Sequence, residues 1–368
     1  MKRYLSLVVV ALILLFQGGV AGAAEGGSQQ KWDETVAAAK KEGKLVIYGE
    51  LTPDARKLLS SSFQKEYGIQ LEWVAGKSVE IAQKYLAERD AGLNLADVFH
   101  MGGGTGFNFM KNKGAFVSVE PYLILPEVKD PKAYINDRFP ALDKDKMIVA
   151  LNSAYTSYVA VNTDMVKEGD LKSYKDLLDP KWKGKIVLFD PAIPGAAAGW
   201  ATFMISQAFG REEGTQFLKD FAKTRPEMIK DVRQQVEWVA RGKYAIGIGT
   251  QHATVSYFKK LGSPLDIQRF QEGGNINPAS GFVERAPKPQ HPNAATLYLN
   301  WILTREGQTV FARGYASPAI RKGISTQGVD SIKIARPGEK THFTDENFYH
   351  LQGVAMKLCK EIFAPLRQ

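Results

Sequence analysis

The sequence predicts an α/β protein built from two blocks, each a doubly wound, mostly parallel sheet. Three observations predict it. Residues 31–81 alternate between helix-forming runs and short β-type runs, the alternation starts again near residue 184, and one long apolar segment, Met147 to Val161, joins the two stretches. Strands separated by helices of this length pair in parallel, and ligands of such sheets sit beyond the carboxyl ends of the strands, at helix N-termini.

In the first block, "WDETVAAAKKEGK" is a helix closed by Gly43, "LVIYG" a strand, "PDARKLLSSSFQKEYG" an amphipathic helix ending at Gly68, and "IQLEWVAG" a second strand. The helix "EIAQKYLAERDAG" then leads into the strand "ADVFHM". In the second block "GKIVLFDP" is a strand, "GAAAGWATFMISQAFG", "EEGTQFLKDFAKTRP" and "QQVEWVARG" are helices, and "YAIGIGTQ" is a strand of small residues. The segment "LDIQRFQEGGNINPASGFVE" runs back, and "NAATLYLNWILTREGQTVFARG" adds helices.

Residues 1–24 read as an export signal: Lys2 and Arg3, an apolar run from Leu5 to Phe16, then Ala21-Gly22-Ala23 in the pattern of a cleavage site. The apolar run is too short for a membrane anchor, which needs about 20 residues. The expected location is therefore the periplasm, in soluble form. Cys359 is the only cysteine, which excludes an internal disulfide and a cysteine-built zinc site. Loss of Lys2 and Arg3 takes the formal charge from +9 to +7. The surplus favours an anionic partner, but the basic residues are scattered rather than clustered, which argues against nucleic acid.

The run "GGGTGF" after the third strand is no dinucleotide fingerprint, because the third glycine position falls on Phe107, and no Gly-Lys-Ser/Thr closes a P-loop. Two readings remain: a turn that needs positive φ, or a backbone that approaches a ligand with unpaired N–H groups at Gly102, Gly103, Gly104 and Thr105. "LFDPAIPGAAAGWATF" repeats the strand, turn and helix order and sets Gly195, Ala196 and Ala197 at a helix start, either to receive an anion or to pack helix on sheet. Other strand ends and crossovers add Glu50, Leu51 and Thr52, Tyr155 and Thr156, Thr250, Gln251 and His252, and Asn275, Asn277 and Ser280. Tyr155 reads equally as a core tyrosine, and His252 as an anion donor or a helix cap. Among the arginines near these loops, Arg233 ranks ahead of Arg225 and Arg285 for a bidentate contact.

In the order of its pieces, "WDETVAAAKKEGKLVIYGELTPDARKLLSSSFQKEYGIQLEWV", "LADVFHMGG", "YVAVNTD", "YKDLLDPKWKGKIVLFDP", "VARGKYAIGIG" and "NAATLYLNWILTREGQ", the chain resembles the type II periplasmic solute-binding proteins of ABC importers, in the branch of the ferric-iron binders. The resemblance implies two lobes joined by a hinge of crossing strands, residues 29–151 plus 271–368 forming the first and 152–270 the second. It also implies a small-molecule ligand held between them, a membrane permease as partner, and a monomer. The consecutive tyrosine pair that ferric binders place after the "YAIGIG" strand is missing: Thr250 and Gln251 stand there. Hard Fe(III) needs such phenolate and carboxylate oxygens, so no metal and no cofactor is assigned. His342 and His350 are the only histidines near each other, and they read as surface residues.

With no nucleophile elbow, zinc-protease signature or kinase set, no catalytic residue is assigned. The function expected is capture of a small anionic solute, such as a phosphonate, sugar phosphate or carboxylate, for delivery to a permease. Ferric-iron import, or a sensing subunit that signals to a membrane receptor, is the alternative.

Overall fold

The structure, a computed structural model, describes residues 27–278 and 281–367. The export signal expected over residues 1–24, and Ser280, lie outside them. Helix α1 (27–42) ends at Gly43 and leads into β1 (Lys44–Gly49). Helix α2 (Pro53–Tyr67) begins and ends as its sequence dictates: Thr52 Oγ1 accepts from Ala55 N, Pro53 fills the first turn, and Gly68, at φ 74°, closes it. Its buried residues Ala55, Leu59 and Phe63 stand four apart on one face. Then come β2 (Gln70–Ala75), α3 (Ser78–Asp90), β3 (Val98–His100) and α4 (Gly103–Thr105), which runs on as a helical stretch to Lys113.

Beyond the single turn α5 (Pro126–Lys129), the apolar connection resolves into three strands, β4 (Val149–Ala150), β5 (Tyr155–Thr156) and β6 (Val159–Asn162). The second block follows as β7 (Ile186–Phe189), α6 (Ala196–Phe203), α7 (Arg211–Lys223), β8 (Glu227–Ile229), α8 (Val232–Ala240), β9 (Ile246–Ile248), α9 (His252–Lys260) and β10 (Leu265–Ile267). The chain returns through β11 (Gly274–Ile276) and β12 (Phe282–Arg285), then forms α10 (Pro292–Leu303), α11 (Arg305–Tyr315), β13 (Thr341–Phe343) and α12 (Glu346–Ile362).

Two five-stranded sheets result, ordered β2-β1-β3-β12-β4 and β10-β6-β9-β7-β8. In each, four strands share one direction and one strand is reversed: β12 lies antiparallel to β3 and β4, and β6 antiparallel to β9 and β10. The reversed strands are the two entered from a crossing. A chain that arrives at the carboxyl end of a parallel sheet must run against it, so the same event makes the crossing and the reversal. The crossing segments pair with each other, β5 antiparallel and β13 parallel to β11, in a third sheet of three strands.

Each large sheet has its own buried apolar cluster. The expectation that residues 271–368 all accompany the first sheet does not describe α12. Phe348, Ala355, Cys359 and Phe363 are buried in the second cluster. Their spacing of seven, four and four puts one apolar stripe against the second block, and Arg367 fixes the end by bonding Asp190, at the end of β7, through Nε (3.0 Å) and Nη2 (2.9 Å).

Candidate functional site

A cleft of about 980 Å³ opens where the carboxyl ends of the two sheets meet. One wall comes from the loops after β1, β2 and β3: Glu50 and Thr52, Lys77 and Ser78, and Gly102 to Thr105. These loops are tied together. Ser78 N donates to Glu50 Oε2 (2.8 Å), and Gly102 N donates to Ser78 Oγ (2.7 Å). None of Gly102, Gly103 and Gly104 has positive φ, so the turn reading of this run is not its reason. Close approach is. A methyl group on Gly103 would stand 2.3 Å from Cζ and Oη of Tyr349, and one on Gly102 2.8 Å from Glu50 Oε1, whereas Gly104 faces open space. Gly106 N bonds Gly102 O (2.8 Å) to close the first turn, and the preceding amides of Gly103, Gly104 and Thr105 have no backbone acceptor among the described residues.

The facing wall repeats the device. Gly195 caps α6 at φ 149°, ψ −164°, a region that only glycine occupies readily. Gly249, at φ 80°, lets the end of β9 press on α6, since a methyl there would meet Ala197 Cβ at 2.4 Å. Gly195, Ala196 and Gly199 line the cleft with Thr250, Gln251 and His252. His252 Nε2 is shielded and has no hydrogen-bond partner, and burial among Lys333 and Arg269 lowers its pKa to about 4.

Between the walls lie Asn152, Thr156, Tyr158 and Asn277. Tyr158 has φ 65°, unusual for an aromatic residue. Its carbonyl accepts from Gly249 N (2.8 Å) and Thr250 N (3.1 Å), and its hydroxyl accepts from Asn275 Nδ2 (3.0 Å). Burial pushes the phenol up to about 12. The C-terminal part of the chain adds Tyr315, Ser317, Lys333, Phe348, Tyr349 and Gln352. Lys333 Nζ donates to Ala316 O (2.9 Å), and desolvation lowers its pKa.

Five residues expected in the cleft are placed elsewhere. Leu51 and Tyr155 are buried in the apolar clusters; each alternates with a neighbour that does line the cleft, Thr52 and Thr156, because successive residues of extended chain face opposite ways. Tyr155 packs under the Arg269 guanidinium at 4.4 Å. Ala197 is covered by Gly249, and Asn275 lies one layer back, holding Tyr158. Arg233 stacks on Tyr257 and Phe258 (5.1 and 5.5 Å), and Arg285 lies over Tyr122 at 3.7 Å. Among the described residues no arginine lines the cleft. Its cations are Lys77 and Lys333.

Sequence reasoning missed Lys77, Ser78, Asn152, Lys333 and Tyr349. The first two follow β2 and obey the strand-end rule already used for β1 and β3. Lys333 and Tyr349 follow no strand of either large sheet, so no local signal marks them. Among the described residues no group of three or more His, Cys, Asp or Glu is placed to hold a metal ion, and no helix is long and apolar enough to cross a membrane.

Comparison with known proteins adds three findings. The family described as bacterial extracellular solute-binding protein matches residues 59–337. An uncharacterized protein of Haemophilus influenzae is 27% identical over 278 residues, covering 74% of this chain and 76% of its own. Among solved structures, the periplasmic binding protein AfuA from Actinobacillus pleuropneumoniae, with fructose-6-phosphate bound, is 22% identical with a TM-score of 0.59, over 88% of this chain and 97% of that one. The Trichodesmium protein IdiA (FutA), in complex with iron and citrate, is 19% identical with a TM-score of 0.68, over 87% and 99%.

Proposed function

The chain belongs to the bacterial extracellular solute-binding proteins, and from that premise we propose that it captures a small anionic solute, a phosphonate, sugar phosphate or carboxylate, in the cleft and delivers it to an ABC permease. The observation that carries the anionic reading is the pair of helix starts on opposite walls, Gly103 to Thr105 and Ala196, with Lys77 and Lys333 in the same cleft. A helix start contributes about 0.3–2 kcal/mol toward an anion, whereas a micromolar dissociation constant requires about 8 kcal/mol. Amides alone do not suffice. Lys77 and Lys333 are balanced by Glu50 and Glu80 in the same cleft, so the burial gained by closing the walls supplies the rest, and the two sheets act as lobes that swing on the crossing strands.

Ferric iron is less well served. Tyr158 and Tyr349 both line the cleft, but burial holds both phenols protonated, and Thr250 and Gln251 offer no phenolate. Thermal unfolding against phosphonates, sugar phosphates, carboxylates and ferric salts at fixed ionic strength tests the reading. A ligand at 100 times its dissociation constant adds about 2.7 kcal/mol. Stabilisation by an organic anion is the expected outcome; stabilisation by ferric salts alone overturns it.

A further inference from the structure

Among the described residues, the charged side chains lining the cleft cancel: Lys77 and Lys333 against Glu50 and Glu80. A monoanion meets that wall with the amides to help it. A dianion is short of one positive charge, and the lining imidazole is that of His252, whose shielded Nε2 has no hydrogen-bond partner. We propose that His252 discriminates dianionic from monoanionic solutes: when a phosphate monoester or phosphonate binds, Nε2 takes one proton from solvent and donates it in a hydrogen bond to the anion, and the proton returns to solvent on release. This deepens the anionic reading of the cleft and rests on it.

The surroundings of His252 hold it neutral until a dianion arrives. It is the first residue of α9, at the positive end of the helix. Lys333 and Arg269 bear on it as cations and Asp330 as the opposing carboxylate. Arg269 is itself paired with Glu339 at 2.5 Å, which leaves Lys333 as the dominant repulsion. In the empty cleft these causes and burial keep the imidazole uncharged down to about pH 4. A dianion beside Nε2 reverses the sign of the local field and raises that value. Affinity for the dianion therefore rises as pH falls through the bound-state value, by at most about tenfold per pH unit, until the solute takes up its own second proton near about pH 6.

Titration calorimetry at pH 7, in two buffers of different protonation enthalpy, tests this with fructose 6-phosphate, glycerol 3-phosphate and gluconate as probes. The expected result is tightest binding by one of the two phosphorus compounds, with uptake of about half to one proton per solute, and loss of that uptake in His252→Gln. Melting of His252→Gln without ligand checks its fold, and the wild-type affinity between pH 8 and pH 6.5 supplies the same answer without a variant. Binding of a phosphorus compound with no proton uptake, uptake that persists in His252→Gln, or tightest binding of gluconate overturns the inference and leaves the anionic cleft standing. Absence of binding by all three probes removes the anionic reading, and this inference with it.

Discussion

Gly103 and Gly104 are neighbours with opposite tolerances, and the difference lies in what each faces. Gly103→Ala drives a methyl group into the Tyr349 ring, with a cost of about 1–3 kcal/mol typical of overpacking, whereas Gly104→Ala projects into open space. Urea unfolding of the two variants is expected to show the first destabilised and the second near wild type. Glu284 offers a second test at this scale. It is fully buried on β12, both carboxylate oxygens lack side-chain partners, and desolvation raises its pKa well above the ordinary range. The folded state thus holds a proton that the unfolded chain releases above about pH 4.5, so the group's stability is present below that value and is lost as pH rises. Glu284→Gln is expected to flatten this slope in urea titrations from pH 5 to pH 8; an unchanged slope refutes the assignment. The glycine run was legible as a special feature, but not its reason, because Tyr349 comes from a helix 246 positions further on and no local pattern reports it.

At the scale of the element, α2 was legible because cap, periodicity and stop signal agree within one stretch of chain. Helix α7, which has no side-chain cap, was legible because its buried Phe217, Leu218 and Phe221 form one apolar face ahead of Pro226. Strand β8 was not. Its three residues, "EMI", form an edge strand with one exposed and one half-buried side chain, too short to show a period of two. The packing of α12 was hidden for another reason: an apolar stripe says that a helix is covered, not by which sheet. The Arg367 pair anchors that helix to Asp190, which is nearly buried. Arg367→Ala leaves the carboxylate without its cation and is expected to cost about 1–3 kcal/mol, read as a lower melting temperature. Arg367→Lys should recover only part of the loss, since it bonds at one point instead of two.

Over the whole molecule, the order of strands and helices was enough to foresee two α/β sheets and a cleft at their carboxyl ends, because the crossover rules leave few alternatives. Contacts from the far end of the chain were beyond reach, and they supply Lys333 and Tyr349. Closure on a solute predicts a smaller radius of gyration in X-ray scattering with the stabilising ligand than without it. Superimposable curves would count against a swinging pair of lobes.

In the proposed swing, the three-stranded sheet β13-β11-β5 is the connection expected to bend. Two separate tethers would allow the halves to twist and shear as well as to open. Three ladder-bonded segments behave as a single leaf, stiff in its own plane and compliant only across it. The proposed closure is thereby expected to follow one coordinate, like a door on aligned pins. A pair of dyes on exposed Val79, on the first wall, and exposed Tyr257, on the helix α9 that starts at the facing wall, would follow that coordinate, turning the chain into a one-channel reporter of occupancy.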